Sequence, residues 1–137
     1  MPTIGDDNRS PIFLMQIAQE AMAITCEACS VSIYELKAKR RSRATIAFAR
    51  QIAMYLAHVV GQMTLADISA AFERDRTTVA YACGLVEDRR ESPLFDRQVE
   101  FLSYEFRLRL EVLFSRARLR RAPSEIDVRV ARAQLAR

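Results

Sequence analysis

Six cations stand between Lys37 and Arg50 with no acid among them, and such side chains bind anions. They are Lys37, Lys39, Arg40, Arg41, Arg43 and Arg50. Nineteen of the 21 basic residues are arginine, whose guanidinium binds phosphate through two parallel hydrogen bonds and also enters the DNA minor groove. Taken alone, residues 37–43 fit a solvated loop and a phosphate-binding loop equally well.

The residue types that most enzymes need are scarce. His58 is the single histidine, so neither a histidine-based metal site nor a Ser-His-Asp triad is expected. The three glycines are isolated, which excludes a P-loop and a dinucleotide-binding loop. Cys26-x-x-Cys29 lies within a helical pattern without a second pair, which favours two half-buried thiols over a metal or redox site. We therefore predict no enzyme activity, no metal, no nucleotide and no cofactor.

The length of 137 residues suits one domain with tails, and half of the residues are hydrophobic. Basicity is concentrated at the end of the chain, where residues 105–137 hold nine arginines and four acids. No apolar run approaches the ~18 residues of a membrane span. The N-terminus contains Asp6 and Asp7 and lacks a basic-then-apolar leader. We expect a cytoplasmic, nucleoid-associated protein without membrane contact.

Apolar residues recur at helical spacing along most of the chain, while glycine and proline are few. The predicted fold is all-α, a compact cluster of five to six helices. Helices are expected over residues 11–29, around 33–36, and over 44–61, 65–72, 76–91 and 96–118. Residues 1–9 are expected to be disordered, 10–118 to form the domain, and 119–137 to form an arginine-rich tail in which 125–136 is a candidate short helix.

Residues 64–91 have the pattern of a helix-turn-helix. Thr64 and Asp67 form a capping box before a short helix, and a tight connection leads into a second helix at Arg76. One side of this second helix is apolar and the other is small and polar, as in a helix that enters the major groove. The apolar side holds Val79, Ala82, Cys83 and Val86, and the other side holds Thr77, Ala80, Tyr81 and Gly84.

Three stretches, KRRSR, ARQIAMYLA and TLADISAAFERDRTTVAYACGLVED, resemble the C-terminal DNA-binding domain (domain IV) of DnaA, the bacterial chromosomal replication initiator. The resemblance extends from about Ile12 to Leu113, and RDRTTV, from Arg74 to Val79, is its most specific part. It implies a helix-turn-helix that binds double-stranded DNA at DnaA boxes. No Walker motif is present, so we expect a stand-alone domain without the AAA+ module.

The resemblance also implies roles for individual residues at the start of the recognition helix. Asp75 would accept a hydrogen bond from a cytosine or adenine amino group, and Arg76 would bind guanine O6 and N7. Thr77 would offer its methyl group to thymine, and Thr78 would contact a phosphate. Asp75 is in addition a candidate N-cap.

The family's minor-groove loop corresponds to residues 39–43, with Arg41 as the groove-inserted arginine and Arg43 as the second candidate. His58 occupies the position of a lysine that reaches DNA in relatives, so it is a further candidate base contact. The remaining candidates are phosphate contacts: Lys39, Arg40, Arg43, Arg50, Gln51, Arg74 and Thr78.

Several positions depart from the family pattern and leave the recognised DNA sequence open. Arg76 replaces a histidine and His58 a lysine. The turn before Asp75 is one residue shorter, with Glu73 in place of a glycine, and Ala66 stands where proline is frequent. The segment between the basic loop and Arg50 is one residue longer.

The predicted function is sequence-specific binding of double-stranded DNA at DnaA-box-like sites, which would modulate replication initiation or transcription. The alternative is an adaptor that binds the replication initiator or its regulators and has weak DNA affinity. A second apolar side of the last long helix, at Phe101, Leu108 and Val112, bears on this choice. We expect it to pack against the segment beyond Pro123; otherwise it would bind another copy of the chain or a replication protein.

Overall fold

The computed structural model describes residues 10–39, 43–121 and 125–136, and these ranges contain seven α-helices and no strand. The helices are α1 (Pro11–Cys29), α2 (Ile33–Lys37), α3 (Ala44–Val59), α4 (Leu65–Phe72), α5 (Arg76–Arg89), α6 (Pro93–Arg121) and α7 (Glu125–Leu135). The predicted all-α class is confirmed, and the helix-turn-helix is α4 and α5. The described part of the chain has one helix more than the upper prediction, because the candidate segment beyond 125 is helical. The expectation for residues 1–9 lies outside the described ranges.

Capping residues explain where several helices begin. Ser10 Oγ accepts a hydrogen bond from Phe13 N at 3.2 Å, and Pro11 occupies the first turn of α1. The capping box of α4 is complete, with Thr64 and Asp67 exchanging both bonds. At α2 the Ser32 hydroxyl accepts from the backbone of Glu35. The Glu35 carboxylate accepts from that same hydroxyl and from Arg43.

Helix α3 lies at the centre of the fold and packs against both α1 and α5. Six consecutive residues, 52–57, are buried, so the middle of this helix is enclosed on all sides. Helical periodicity places Tyr55 opposite the main apolar side of α3, and yet this residue is buried, with 3% of its surface exposed. The Tyr55 hydroxyl is satisfied inside the fold by Glu87 and Arg90.

The turn after α3 uses its glycine for close packing. In this turn Gln62, rather than Gly61, adopts a positive φ, of 57°. A β-carbon on Gly61 would lie 2.6 Å from the carbonyl oxygen of Ala57 and 3.0 Å from Ile17 Cγ2. Glycine is therefore favoured for two reasons: a side chain would clash with the carbonyl of Ala57 at the end of α3, and it would crowd Ile17 on α1.

Helix α6 begins at Pro93, three residues before the predicted start, because proline is favoured in a first helical turn. Its core side packs against α1, where the rings of Phe13 and Phe114 lie 5.3 Å apart. The opposite side stays open: Phe101 is 62% exposed, Leu108 46% and Val112 51%. The expected packing of this side against the segment beyond Pro123 is therefore wrong. Within the described residues, no helix is long and apolar enough to cross a membrane.

Candidate nucleic-acid interface

Helix α5 has the two sides that the sequence predicts for a recognition helix. Val79, Ala82 and Val86 are buried against the core, and Cys83 is half-buried. The other side is exposed along its length: Thr77, Ala80, Tyr81 and Gly84. Small side chains dominate this outer side, and a methyl group added to Gly84 would meet open space. Such a flat, exposed helix surface suits close approach to the floor of a major groove.

The N-terminus of α5 presents four exposed side chains in succession: Asp75, Arg76, Thr77 and Thr78. Asp75 is the N-cap residue, with φ −63° and ψ 148°, as expected. Its carboxylate makes no capping hydrogen bond, so its oxygens keep their capacity to accept from a base amino group. The positive end of the helix dipole also points from this terminus and favours a nearby phosphate.

The turn between α4 and α5 is held by backbone and side-chain bonds. Glu73 adopts a left-handed conformation, with φ 53° and ψ 50°, at the C-cap of α4. The Ser69 hydroxyl donates to the carbonyl oxygen of Arg74 at 2.5 Å, and the Arg74 amide donates to the Ser69 carbonyl at 3.1 Å. These bonds orient the side chain of Arg74 and the first turn of α5 together.

Arg50 and Arg74 converge on one backbone oxygen. Arg74 Nη2 donates to the carbonyl of Ala38 at 2.9 Å, and Arg50 Nη2 donates to the same oxygen at 3.3 Å. Arg50 Nε also donates to the carbonyl of Leu36 at 2.8 Å. We call Arg50, Arg74 and the Ala38 carbonyl the Ala38 clamp. It ties α3 and the helix-turn-helix turn to the chain immediately before Lys39, where the basic loop begins.

The clamp places two positive charges close together. Burial lowers the pKa of Arg50, and the neighbouring Arg74 lowers it further. A guanidinium has five N–H donors, and Arg50 and Arg74 each use only some of theirs to bind backbone carbonyls. Both residues can therefore bind a phosphate while holding Ala38, and an anion there would relieve their mutual repulsion. Their predicted phosphate contacts remain predictions.

Two other basic candidates have exposed acidic neighbours. Lys39 Nζ lies 3.7 Å from a Glu73 oxygen, and Arg43 Nη2 lies 3.1 Å from Glu35 Oε2. Hydrogen bonds from Ser32 and Arg43 lower the pKa of Glu35. Exposed ion pairs of this kind are weak, so DNA phosphates can compete for both cations.

The remaining predicted contacts differ in their surroundings. Gln51 is half-buried in the first half of α3. His58 is exposed near the end of α3, and its Nδ1 donates to the carbonyl oxygen of Met63 at 2.8 Å. This bond stabilises the turn before α4 and leaves Nε2 for a partner outside the fold. Arg40 and Arg41 lie outside the described residues, so the predicted minor-groove arginine stays a prediction.

A polar network fixes α5 relative to α3 and α6, and no local sequence pattern predicts it. The Tyr55 hydroxyl donates to Glu87 Oε2 at 2.5 Å and accepts from Arg90 at 2.9 Å. Arg90 also binds Asp96 Oδ1 at 2.6 Å and the carboxylate of Glu100. Burial disfavours the charged form of Arg90, but these hydrogen bonds outweigh it and raise the pKa. The network holds the far end of the recognition helix.

The cysteines are not arranged as a metal site. Burial raises the pKa of Cys26, Cys29 and Cys83, which keeps their thiols protonated. Among the described residues, no group of three or more His, Cys, Asp or Glu side chains could hold a metal ion.

Comparisons with known proteins place this site in a family. A family model described as the bacterial dnaA protein helix-turn-helix matches residues 18–86, which include α3, α4 and most of α5. The chromosomal replication initiator protein DnaA of Thermodesulfovibrio yellowstonii is 37% identical over 86 residues, or 62% of this chain and 18% of that protein. A solved structure titled as a DNA replication initiation factor superposes with a TM-score of 0.60 at 31% identity, over 70% of this chain and 28% of that one. The chain thus spans less than a third of either relative, and it belongs to the bacterial DnaA helix-turn-helix family.

Proposed function

We propose that this protein binds double-stranded DNA in a sequence-specific manner, at sites related to the DnaA box. In this proposal the N-terminus of α5 enters the major groove, and the basic loop enters the adjacent minor groove. The observation that carries it is the exposed sequence Asp75, Arg76, Thr77 at the start of α5, with a carboxylate that is not consumed by capping. The family to which the chain belongs supports the same assignment.

Base recognition is assigned to the first turn of α5. Arg76 binds the O6 and N7 atoms of guanine, Asp75 accepts from a cytosine or adenine amino group, and Thr77 packs its methyl group against thymine. Arg41 supplies the minor-groove contact, and His58 is a further candidate base contact through Nε2. Phosphates are bound by the remaining predicted set: Lys39, Arg40, Arg43, Arg50, Gln51, Arg74 and Thr78.

The Ala38 clamp supports simultaneous contact with both grooves. Arg74 stands one residue before the N-cap of α5, and Ala38 stands one residue before Lys39. A fixed link between these points restricts the relative movement of the two DNA-contacting elements before DNA is bound. Less conformational entropy is therefore lost on binding. Binding at initiator sites would let the protein modulate replication initiation, or transcription near such sites.

Fluorescence anisotropy with a duplex that carries a DnaA box, and with a scrambled duplex, tests the proposal across a salt series. We expect a preference for the box of roughly a hundredfold, or about 3 kcal/mol. Arg76→Ala should abolish this preference, because it removes a bidentate contact to a base. Arg107→Ala is the matched control, since Arg107 is an exposed arginine on α6. It should weaken binding to both duplexes equally, and only slightly.

Arg41→Ala should weaken binding to the box and flatten the salt dependence. Equal and steeply salt-dependent binding of both duplexes by the unaltered protein would overturn the proposal. The arginines would then form only an electrostatic patch, and the adaptor hypothesis would replace site-specific DNA binding.

A further inference from the structure

Six exposed apolar side chains form a stripe along α6, on the side opposite its core contacts. They are Leu94, Phe101, Tyr104, Leu108, Val112 and Leu119, and we call them the α6 stripe. Each is at least 46% exposed, and Leu119 reaches 74%. At 1.5 Å per residue the stripe runs for roughly 37 Å. The described side chains of α7 beyond Val128 are themselves exposed, and the α6 stripe stays uncovered.

We propose that the α6 stripe is the interface between two copies of this chain, packed with their α6 helices antiparallel. The stripe shares no residue with the candidate nucleic-acid interface, so this inference goes beyond the proposed function. Two observations indicate a second copy in antiparallel orientation: the charges that flank the stripe, and the spacing of the residues in the stripe.

Charge is distributed unequally along α6. Its first half carries the acids Asp96, Glu100 and Glu105 with one arginine, Arg97, and Arg90 partly neutralises the first two acids. Its second half carries one acid, Glu111, among arginines at 107, 109, 116, 118, 120 and 121. Arg109 binds Glu20 and Glu27, whereas Arg107, Arg116 and Arg118 have no acidic partner within the described part of the chain. An antiparallel partner brings the net acidic half of one helix beside the net basic half of the other, although Arg97 then faces Arg116 of the second copy, whereas a parallel partner places every charge beside its own copy.

The spacing of the stripe fits a twofold axis. Leu94 and Leu119 lie at equal distances in sequence from the midpoint between residues 106 and 107, and so do Phe101 and Val112. An antiparallel pair centred at this point packs Leu94 against Leu119 of the second copy and Phe101 against Val112 of the second copy. This is the self-complementary arrangement that a symmetric dimer requires.

The size of the stripe indicates a weak dimer. A face roughly 37 Å long and about 10 Å wide covers roughly 400 Å² per copy, which is about half of what each partner contributes to a standard interface and is typical of weak, transient contacts. We therefore expect a reversible monomer–dimer equilibrium with a dissociation constant in the micromolar range.

Sedimentation equilibrium of the full chain, from about 1 to 300 µM, measures this association. The unaltered protein should dimerise, and Leu108→Glu should weaken dimerisation at least tenfold, because it buries a charge at the centre of the interface. Ile12→Glu is the matched control, since Ile12 is a 77% exposed aliphatic residue on α1. Both variants should keep the circular dichroism spectrum and melting temperature, because both positions face solvent. A monomer at every concentration, or equal weakening by both variants, would overturn the proposal.

Photo-cross-linking tests the direction. With p-benzoylphenylalanine in place of Phe101, tryptic peptides of the cross-linked dimer identify the segment of the second copy that is contacted. Residues 110–116, which contain Val112, should be captured. Capture of residues 98–107, which contain position 101 itself, would show a parallel pair and contradict the proposal, as would the absence of an intermolecular product.

Discussion

Replacing Glu73 with glycine should stabilise the protein, because this residue holds a left-handed backbone conformation, with φ 53° and ψ 50°. The left-handed conformation costs an L-residue about 1–2 kcal/mol, a cost that glycine does not have. Glycine in turn loses about 0.5–1 kcal/mol more backbone entropy on folding. The net expectation is a gain of about 0.5–1 kcal/mol over an alanine at the same position. Glu73→Ala is the necessary control, since it removes the exposed pair with Lys39 but keeps the left-handed backbone.

Urea unfolding followed by circular dichroism measures the difference between the two variants. For a slope of about 1.5 kcal/mol/M, the midpoint of Glu73→Gly should lie roughly 0.3–0.7 M above that of Glu73→Ala. The slopes should be equal, because neither variant changes the surface exposed on unfolding. A glycine variant that unfolds at or below the urea midpoint of the alanine variant would refute the backbone argument.

The same pair of variants separates backbone strain from charge in DNA binding. Both remove a carboxylate from the turn that precedes α5, and a unit charge about 8 Å from a phosphate in water is worth roughly 0.5 kcal/mol. Both variants should therefore bind a box duplex about twofold more tightly, and the gain should fade at high salt. A gain confined to the glycine variant would mean that turn geometry, rather than charge, limits affinity.

Two further predictions follow from the contacts of the clamp and of the turn after α3. Arg50→Ala should lower stability by about 2 kcal/mol in urea unfolding, because the carbonyl of Leu36 loses a charged donor and that of Ala38 keeps only Arg74. Arg50→Lys should lose about 1 kcal/mol, because one ammonium does not reproduce the two-point contact of the guanidinium. Both should also weaken binding to a box duplex; full retention of affinity by the lysine variant in anisotropy would show that charge alone matters at this position. Gly61→Ala should destabilise by about 1–3 kcal/mol through its clash with Ala57, whereas the matched control Gly84→Ala should stabilise by about 0.5–1 kcal/mol. Equal melting temperatures for these two glycine variants would contradict the packing argument.

Much of the fold was predictable because its determinants are local. Ser10 followed by Pro11 places the start of α1, and Thr64 with Asp67 places the start of α4, since a cap acts within one helical turn. The two sides of α5 were predictable for a similar reason, because a helix repeats every 3.6 residues. The candidate base contacts came from the family resemblance, and the structure adds that the Asp75 carboxylate makes no capping bond.

The features that sequence reasoning missed depend on contacts between distant segments. Nothing in the sequence near Arg74 indicates a bond to a carbonyl 36 residues earlier. Helical periodicity alone does not indicate that Tyr55 is buried, because its hydroxyl is satisfied within the fold by Glu87 and Arg90, which lie more than 30 residues away. Part of the need for glycine at position 61 comes from Ile17 on α1, whose proximity is a property of the packed helices. The exposure of the α6 stripe likewise depends on the position of α7, which is set by packing rather than by a local sequence pattern.

The clamp also changes how the departures from the family pattern are interpreted. The turn before Asp75, which the resemblance predicts to be one residue shorter than in the family, contains Glu73 in the left-handed conformation, and this conformation sets the direction in which Arg74 leaves the backbone. Arg74 in turn holds Ala38, so the position of the basic loop depends on the geometry of the turn. A change in turn length therefore moves the loop and the recognition helix relative to each other. We expect this protein to prefer a DnaA box over unrelated DNA, and to bind most tightly to a variant of the box that differs in the base facing Arg76 or in the spacing between that base and the minor-groove contact.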